Sequence, residues 1–196
     1  DPAMISAETT LRAAASDVYA LIADPARHTE LDGGGSVRGL ISGDTPELRE
    51  GDTFTEKMFL GIPYRMSPTV LRAEKNQILS WRMPTDHYWT WEIADNHDGT
   101  VTVRETWDAS EAKFFGFIPA APVFRRVGVF ARNRRNIGLS LAKLHRTFEE
   151  SEAVSCLLLP CEQIVFRRKD SNPLPARRNT ICSRCYADTN TTVLRA

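Results

Sequence analysis

The sequence predicts an α+β domain: seven mostly antiparallel strands packed on one long C-terminal helix, followed by a tail. Three observations carry this. Residues 122–149 have proline only at their first position and set Val123, Val127, Phe130, Ile137, Leu141, Leu144 and Phe148 on one stripe at helical spacing. Residues 37–107 change to a period of two, in runs divided by short turns. Beyond residue 150 the composition shifts: all four cysteines lie there, with seven Lys+Arg against four Asp+Glu.

Taken in order, Met4–Arg12 forms a first strand. Ser16 is placed to cap a short amphipathic helix carrying Val18, Tyr19, Leu21 and Ile22. Asp24-Pro25 starts a second helix running to Leu31, and Gly33-Gly34-Gly35 ends it. The strands then follow. Val37 and Ile41 mark the second, residues 52–60 the third (Phe54, Met58), and Tyr64, Met66 and Val70 the fourth. Leu79, Trp81 and Met83 mark the fifth, Trp89, Trp91 and Ile93 the sixth, and Val101, Val103 and Trp107 the seventh. Lys75-Asn76 and Asn96-His97-Asp98-Gly99 are hairpin turns, so neighbouring strands run antiparallel. Pro122–Glu149 reads as a single helix, with Pro122 in its first turn where a missing N–H costs nothing. At about 1.5 Å per residue it spans roughly 40 Å, so something broad and apolar lies beneath it.

Composition excludes several classes. With 25 Lys+Arg against 25 Asp+Glu the chain has no net charge, and so no long-range field to attract nucleic acid or an anionic membrane. No apolar run approaches the ~20 residues that span a bilayer, and the N-terminus shows no secretory pattern. These features place the protein in the cytoplasm, without nucleic acid or integral membrane association. There is no Ser-His-Asp order, glycine-rich phosphate loop or His-Glu-x-x-His, so no cofactor or metal is expected and no catalytic residue stands out. Cys182-x-x-Cys185 with Cys156-x4-Cys161 has the composition of a zinc site. No ordered module surrounds them, and residues 150–196 read as an appended tail.

Ala15-Ser16-Asp17-Val18-Tyr19-Ala20-Leu21-Ile22-Ala23-Asp24-Pro25, the Gly51-Asp52 strand start and Gly99-Thr100-Val101-Thr102-Val103…Thr106-Trp107 give the chain a resemblance to a known superfamily. Residues 4–149 resemble the START/Bet v 1-like (SRPBCC) proteins, including polyketide cyclase/dehydrase-like members. The resemblance implies a helix-grip fold, a curved antiparallel sheet wrapped around the helix with a ligand cavity between them. Members of that superfamily share a container more than a chemistry, so function has to come from the site.

The inward strand faces carry Phe54, Met58, Tyr64, Met66, Trp81, Trp89, Trp91 and Trp107. Such side chains suit a flat apolar ligand, and equally a filled core. Glu56 shares the parity of Phe54 and Met58; Glu105 shares that of Val103 and Trp107. Arg134 falls between Phe130, Ile137 and Leu141. These charged groups fit a polar spot that orients a ligand carbonyl or carboxylate, or a structural ion pair. His87 is a candidate acid–base at the cavity mouth. Phe114-Phe115-Gly116-Phe117-Ile118-Pro119 reads as a lid or as packing under the helix. The candidate ligand-binding set is Glu56, Met58, Tyr64, Met66, Trp81, Trp89, Trp91, Glu105, Trp107, Phe130, Arg134 and Leu141. The expected function is binding of a small hydrophobic, aromatic or lipidic molecule. The alternatives are a cyclase/dehydrase-type enzyme and a protein-interaction module.

Overall fold

The computed structural model describes residues 3–43, 46–149 and 165–166. Strand β1 (Met4–Arg12) leads into α1 (Ala15–Ala23), a 3-10 turn (Pro25–Arg27) and α2 (His28–Leu31). Ser16 does not cap α1; Ala14 occupies that position, and Ser16 lies within the first turn. Asp24 caps the next turn instead, accepting the Ala26 N–H at 3.0 Å.

Two sheets follow. β2 (Val37–Ser42), β3 (Thr55–Phe59) and β4 (Pro63–Met66) form one antiparallel unit. β5 (Thr69–Glu74), β6 (Ile78–Arg82), β7 (Tyr88–Asp95) and β8 (Thr100–Asp108) form the other with β1, which pairs with β8 along its whole length. The expected seven-stranded sheet is therefore divided, and the expected fourth strand is split at Ser67-Pro68. Pro68 has no N–H to donate to a ladder. The sheets meet at a corner held by Val70 N–H to Asp52 O (2.8 Å), Gly51 N–H to Val70 O (2.9 Å) and Phe54 N–H to Pro68 O (3.3 Å). Both expected hairpin turns form, with Asn76 (φ 63°), His97 (φ 60°) and Gly99 (φ 84°) in the left-handed region. A small hairpin, β9 (Lys113–Phe114) with β10 (Ile118–Pro119), precedes the helices, and β11 (Val165–Phe166) pairs with β1 at Ala7 and Glu8.

The C-terminal segment is two helices: α3 (Ala121–Arg126) and α4 (Val129–Glu149). The expected single helix breaks at Gly128, whose φ of 76° only glycine adopts cheaply. Its N–H closes α3 by bonding the Arg125 carbonyl at 3.2 Å, and its own carbonyl accepts the Arg132 N–H at 3.1 Å to open α4. The C-terminal half of α4 buries Ile137, Leu141 and Leu144 against a core containing Ile5, Leu11, Val18, Ile22 and Val103. Val123 and Val127, on the expected stripe, are exposed because the break turns α3 away from that phase. The fold is the α+β helix-grip arrangement.

Candidate functional site

Between the sheets and the N-terminal half of α4 lies a cavity of about 360 Å³. Strand parity builds most of its wall. On β3, Glu56 and Met58 face in; on β4, Tyr64 and Met66; on β6, Trp81; on β7, Trp89 and Trp91; on β8, Glu105 and Trp107. All four tryptophans of the chain are wall residues. Nine of the twelve candidate residues are thus brought together. The other three, Phe130, Arg134 and Leu141, are not.

Helical phase explains the difference. At about 100° per residue, and with Ile137 as origin, Asn133, Ser140, Val129 and Asn136 lie roughly 40° to 100° to one side. All four line the cavity. Phe130, Leu141 and Arg134 lie roughly 20° to 60° to the other side. Leu141 is core, Phe130 packs its ring edge against Trp107 at 4.9 Å, and Arg134 is exposed. Arg132, outside the candidate set, is at the cavity edge. Among the wall residues only Leu60 and Arg132 are exposed, which puts the mouth between the β3–β4 hairpin and the start of α4.

The polar groups of the wall are distinctive. His28, at the start of α2, gives its Nε2–H to the Ile22 carbonyl at 3.0 Å, since a carbonyl can only accept. Its Nδ1 lies 2.8 Å from Glu56 Oε1, so that contact holds one proton, shared by a buried histidine and a buried carboxyl. The imidazole is also stacked on Trp81 (5.5 Å) and meets Phe54 edge-on (5.3 Å). Nothing in the sequence signalled His28, because its helix is a single turn with no periodicity to read.

Glu105 is 4 % exposed, and burial drives its pKa well above the usual glutamate range. Asp32 nearby pushes it further up, and a hydrogen bond from Ser140 opposes the rise. The Ser140 Oγ accepts the Gly33 N–H at 3.1 Å, leaving its own proton for Glu105. Gly33 is required here by close approach: a Cβ would strike the backbone of Asn136 and Ser140. Asp32 holds the glycine loop by accepting from Gly34 N, Ser36 Oγ and Val37 N, the last at 2.6 Å. Glu105 Oε2 and Trp107 Nε1 are both buried and have no hydrogen-bond partner among the described residues.

His87 lies on the wall against Trp107 (5.9 Å) and Phe124 (6.1 Å), with Nδ1 2.8 Å from Thr85 Oγ1. Burial lowers its pKa to about 4, against a smaller opposing effect of Asp86, so it is neutral at pH 7. Of the 114–119 segment, Phe114 packs on the wall against Phe124 (5.5 Å), while Phe115 and Phe117 are 88 % and 74 % exposed. Phe114 is thus packed under the helix as expected, while Phe115, Phe117 and Ile118 are not. Among the described residues no group of three or more His, Cys, Asp or Glu is placed to hold a metal, and no helix is long and apolar enough to cross a membrane. The four cysteines lie outside the described residues.

The divided antiparallel sheet, the long helix and the cavity between them give the chain the fold of the START/Bet v 1-like (SRPBCC) proteins. The polyketide_cyc-like protein Cgl2372 of Corynebacterium glutamicum superposes with a TM-score of 0.54 at 15% identity, covering 79% of this chain and 96% of that one. A Thermobifida fusca protein gives 0.55 at 16% identity (76% and 95%), and the Aha1 dimer of Colwellia psychrerythraea 0.53 at 12% (74% and 96%). At such identities the likeness is one of fold. In sequence the chain belongs to the family of the uncharacterized protein Rv0088 of Mycobacterium tuberculosis, with 35% identity over 154 residues, 78% of this chain and 67% of that protein. No family model matches the chain.

Proposed function

We propose that this protein binds one small, largely apolar molecule, aromatic or lipidic, in the cavity beside α4, and that the molecule carries a hydrogen-bond-accepting oxygen such as a ketone or ester carbonyl. The observation that carries this reading is a mostly aromatic and aliphatic wall that includes Glu105 and Trp107, whose Oε2 and Nε1 lie just beneath its surface with no hydrogen-bond partner among the described residues. A buried polar atom without a partner costs about 1–3 kcal/mol. A protonated Glu105 and the indole N–H are both donors, so an accepting oxygen offsets that cost where a hydrocarbon does not. The tryptophans and methionines hold the apolar remainder.

The enzymatic reading rests on a different observation. A carboxyl whose burial favours its protonated form (Glu105) and a neutral histidine (His87) share one cavity, and groups whose surroundings push their pKa values apart are the parts of acid–base chemistry. In that reading Glu105 donates to a substrate carbonyl and His87 accepts a proton, as a cyclase/dehydrase-type step requires. The fold neighbour described as polyketide_cyc-like is in keeping with it.

Because every tryptophan is a wall residue, tryptophan quenching reports on the cavity itself. Titration with 2-acetylnaphthalene and 2-ethylnaphthalene, nearly equal in size, isolates the carbonyl. The ketone is expected to bind about tenfold tighter, as one satisfied buried donor implies, and Glu105→Leu to abolish that preference. Absence of saturable quenching by either compound, or by a series of acyl chains, refutes the binding reading. Conversion of a bound ketone that Glu105→Gln stops while still binding it establishes the enzymatic one.

A further inference from the structure

The His28–Glu56 pair gives the cavity a second polar pole, opposite in sense to the first. Glu56 is 5 % exposed, and of its two oxygens only Oε1 is engaged, by His28 Nδ1 at 2.8 Å. The other, Oε2, has no hydrogen-bond partner among the described residues. Glu56 lines the cavity, and its Oε2 is not sealed beneath the wall as Glu105 Oε2 and Trp107 Nε1 are. The hydrogen bonds of the pair fix what that oxygen can do. His28 Nε2–H is committed to the Ile22 carbonyl at 3.0 Å, so the single proton of the 2.8 Å contact lies between Nδ1 and Oε1. With the proton on Nδ1, Glu56 is a carboxylate and Oε2 accepts. With the proton on Oε1, Oε2 is the carbonyl oxygen of the acid and accepts again. Oε2 is an acceptor in both cases, whereas a protonated Glu105 and the Trp107 indole donate.

Strand spacing sets the distance between the two poles. Trp81, Trp89 and Trp107 are register partners across β6, β7 and β8. His28 stacks on Trp81 at 5.5 Å, which puts Glu56 at the β6 end of this row, while Glu105 and Trp107 both belong to β8. Two strand spacings make roughly 10 Å, with Trp89 between. We propose that Glu56 Oε2 is a specificity subsite for a hydrogen-bond donor, so that the cavity selects a flat molecule with an accepting oxygen at one end and a hydroxyl at the other, about as long as a fused bicyclic aromatic. The proposal rests on the cavity-binding reading and adds to it the second functional group and its direction. A hydroxyl gives its proton to Oε2. An ether of the same oxygen does not, and a second carbonyl sets one acceptor against another.

The test is tryptophan quenching of the full chain by naphthalenes that differ only at the 6-position. 6-Hydroxy-2-acetylnaphthalene is expected to bind about tenfold tighter than 2-acetylnaphthalene, as one more satisfied buried group implies. 6-Methoxy-2-acetylnaphthalene should bind no tighter than the parent compound. Two variants assign the effect to Glu56. In Glu56→Gln the side-chain amide donates to His28 Nδ1 and leaves its oxygen toward the cavity, so the hydroxyl preference should persist. Glu56→Met with His28→Phe replaces the pair by apolar side chains of similar shape, which leaves neither partner buried alone. This double variant should bind the hydroxyl and parent compounds alike. A hydroxyl preference that survives in it overturns the proposal, because another wall residue then reads the group. Should the double variant fail to fold, the wild type still decides: equal affinities for the hydroxyl and methoxy compounds overturn the proposal. The same hydroxyl placed on 2-ethylnaphthalene separates this subsite from the carbonyl pole. An advantage there supports the Glu56 subsite even where ketone and hydrocarbon bind alike. No hydroxyl advantage with the ketone preference intact overturns this inference alone.

Discussion

Substitution at Gly128 tests the helix break that shapes the cavity, because the two possible geometries predict opposite signs. In the broken form Gly128 has φ 76° and open space where a Cβ would stand, so the cost of Gly128→Ala is conformational alone. A non-glycine residue in the left-handed region costs about 1–2 kcal/mol. Were the segment one helix through residue 128, the same change would instead stabilise by about 0.5–1 kcal/mol, since alanine replaces a helix-interior glycine. Gly128→Asn sharpens the contrast. Asparagine visits the left-handed region with less penalty, so the expected order of stability is Gly, then Asn, then Ala. In a continuous helix alanine would rank first. Urea unfolding with an unchanged m-value reads the difference directly. The thermal midpoint should fall by roughly 2–8 °C for alanine, at about 2–4 °C per kcal/mol in a chain of this size. A rise in stability for Gly128→Ala would mean that α3 continues into α4. Phe124 and Val129 would then no longer be held in their present directions on the cavity wall.

Three further outcomes follow from the site. Glu56→Ala leaves the His28 Nδ1 buried beside no acceptor or donor and should cost about 3 kcal/mol in urea unfolding; Glu56→Gln, which keeps one hydrogen bond, should stay within about 1 kcal/mol, and equal losses would mean the pair is not the cause. Glu105→Gln should be at least as stable as wild type at pH 7. The folded-state pKa of Glu105 is raised, so the folded chain keeps a proton that the unfolded chain releases, and wild-type stability declines as pH rises from the ordinary glutamate range toward the raised value. The advantage of the glutamine should therefore vanish as pH falls below about 4, and a gain that persists there would refute burial as its origin. Gly33→Ala should destabilise by about 1–3 kcal/mol through overpacking against Asn136 and Ser140; a neutral effect would mean the loop and α4 are not in contact.

Much of the fold was legible because strand parity does not accumulate error. A residue two places along a strand faces the same way, so Glu56 and Met58, Trp89 and Trp91, and Glu105 and Trp107 were placed on one face with no knowledge of what lay opposite. The strand ends were less legible. Ser67-Pro68 interrupts a run in which Tyr64, Met66 and Val70 keep alternating, and the alternation alone hides the missing donor. Gly128 was hidden in the same way: the apolar spacing on either side of it continues at helical period, although Val127-Gly128 carries the glycine that commonly follows a helix end. His28 depended on tertiary contacts with Glu56 and Trp81, which no local pattern encodes.

The helix flank was the harder matter, and the reason is geometric. A residue on α4 is assigned to core or cavity by an azimuth, and a difference of about 60° moves a side chain from the buried stripe to its edge. Arg134 was placed facing the sheet because apolar residues bracket it in sequence, yet those same residues, Phe130 and Leu141, lie on the flank away from the cavity. The opposite flank carries Asn133, Asn136 and Ser140, and two of these, Asn133 and Ser140, are buried. Seven residues apart, they fall beside Ile137 and Leu144 on one line of the helix. Polar residues of that kind are costly in a dry core and useful on a cavity wall, where Ser140 supplies the hydrogen bond to Glu105. The asymmetry of the stripe, polar along one edge and apolar along the other, is thus the signal that locates the cavity. A charged residue among apolar neighbours is a weaker guide, because a long arginine side chain can leave the stripe for solvent.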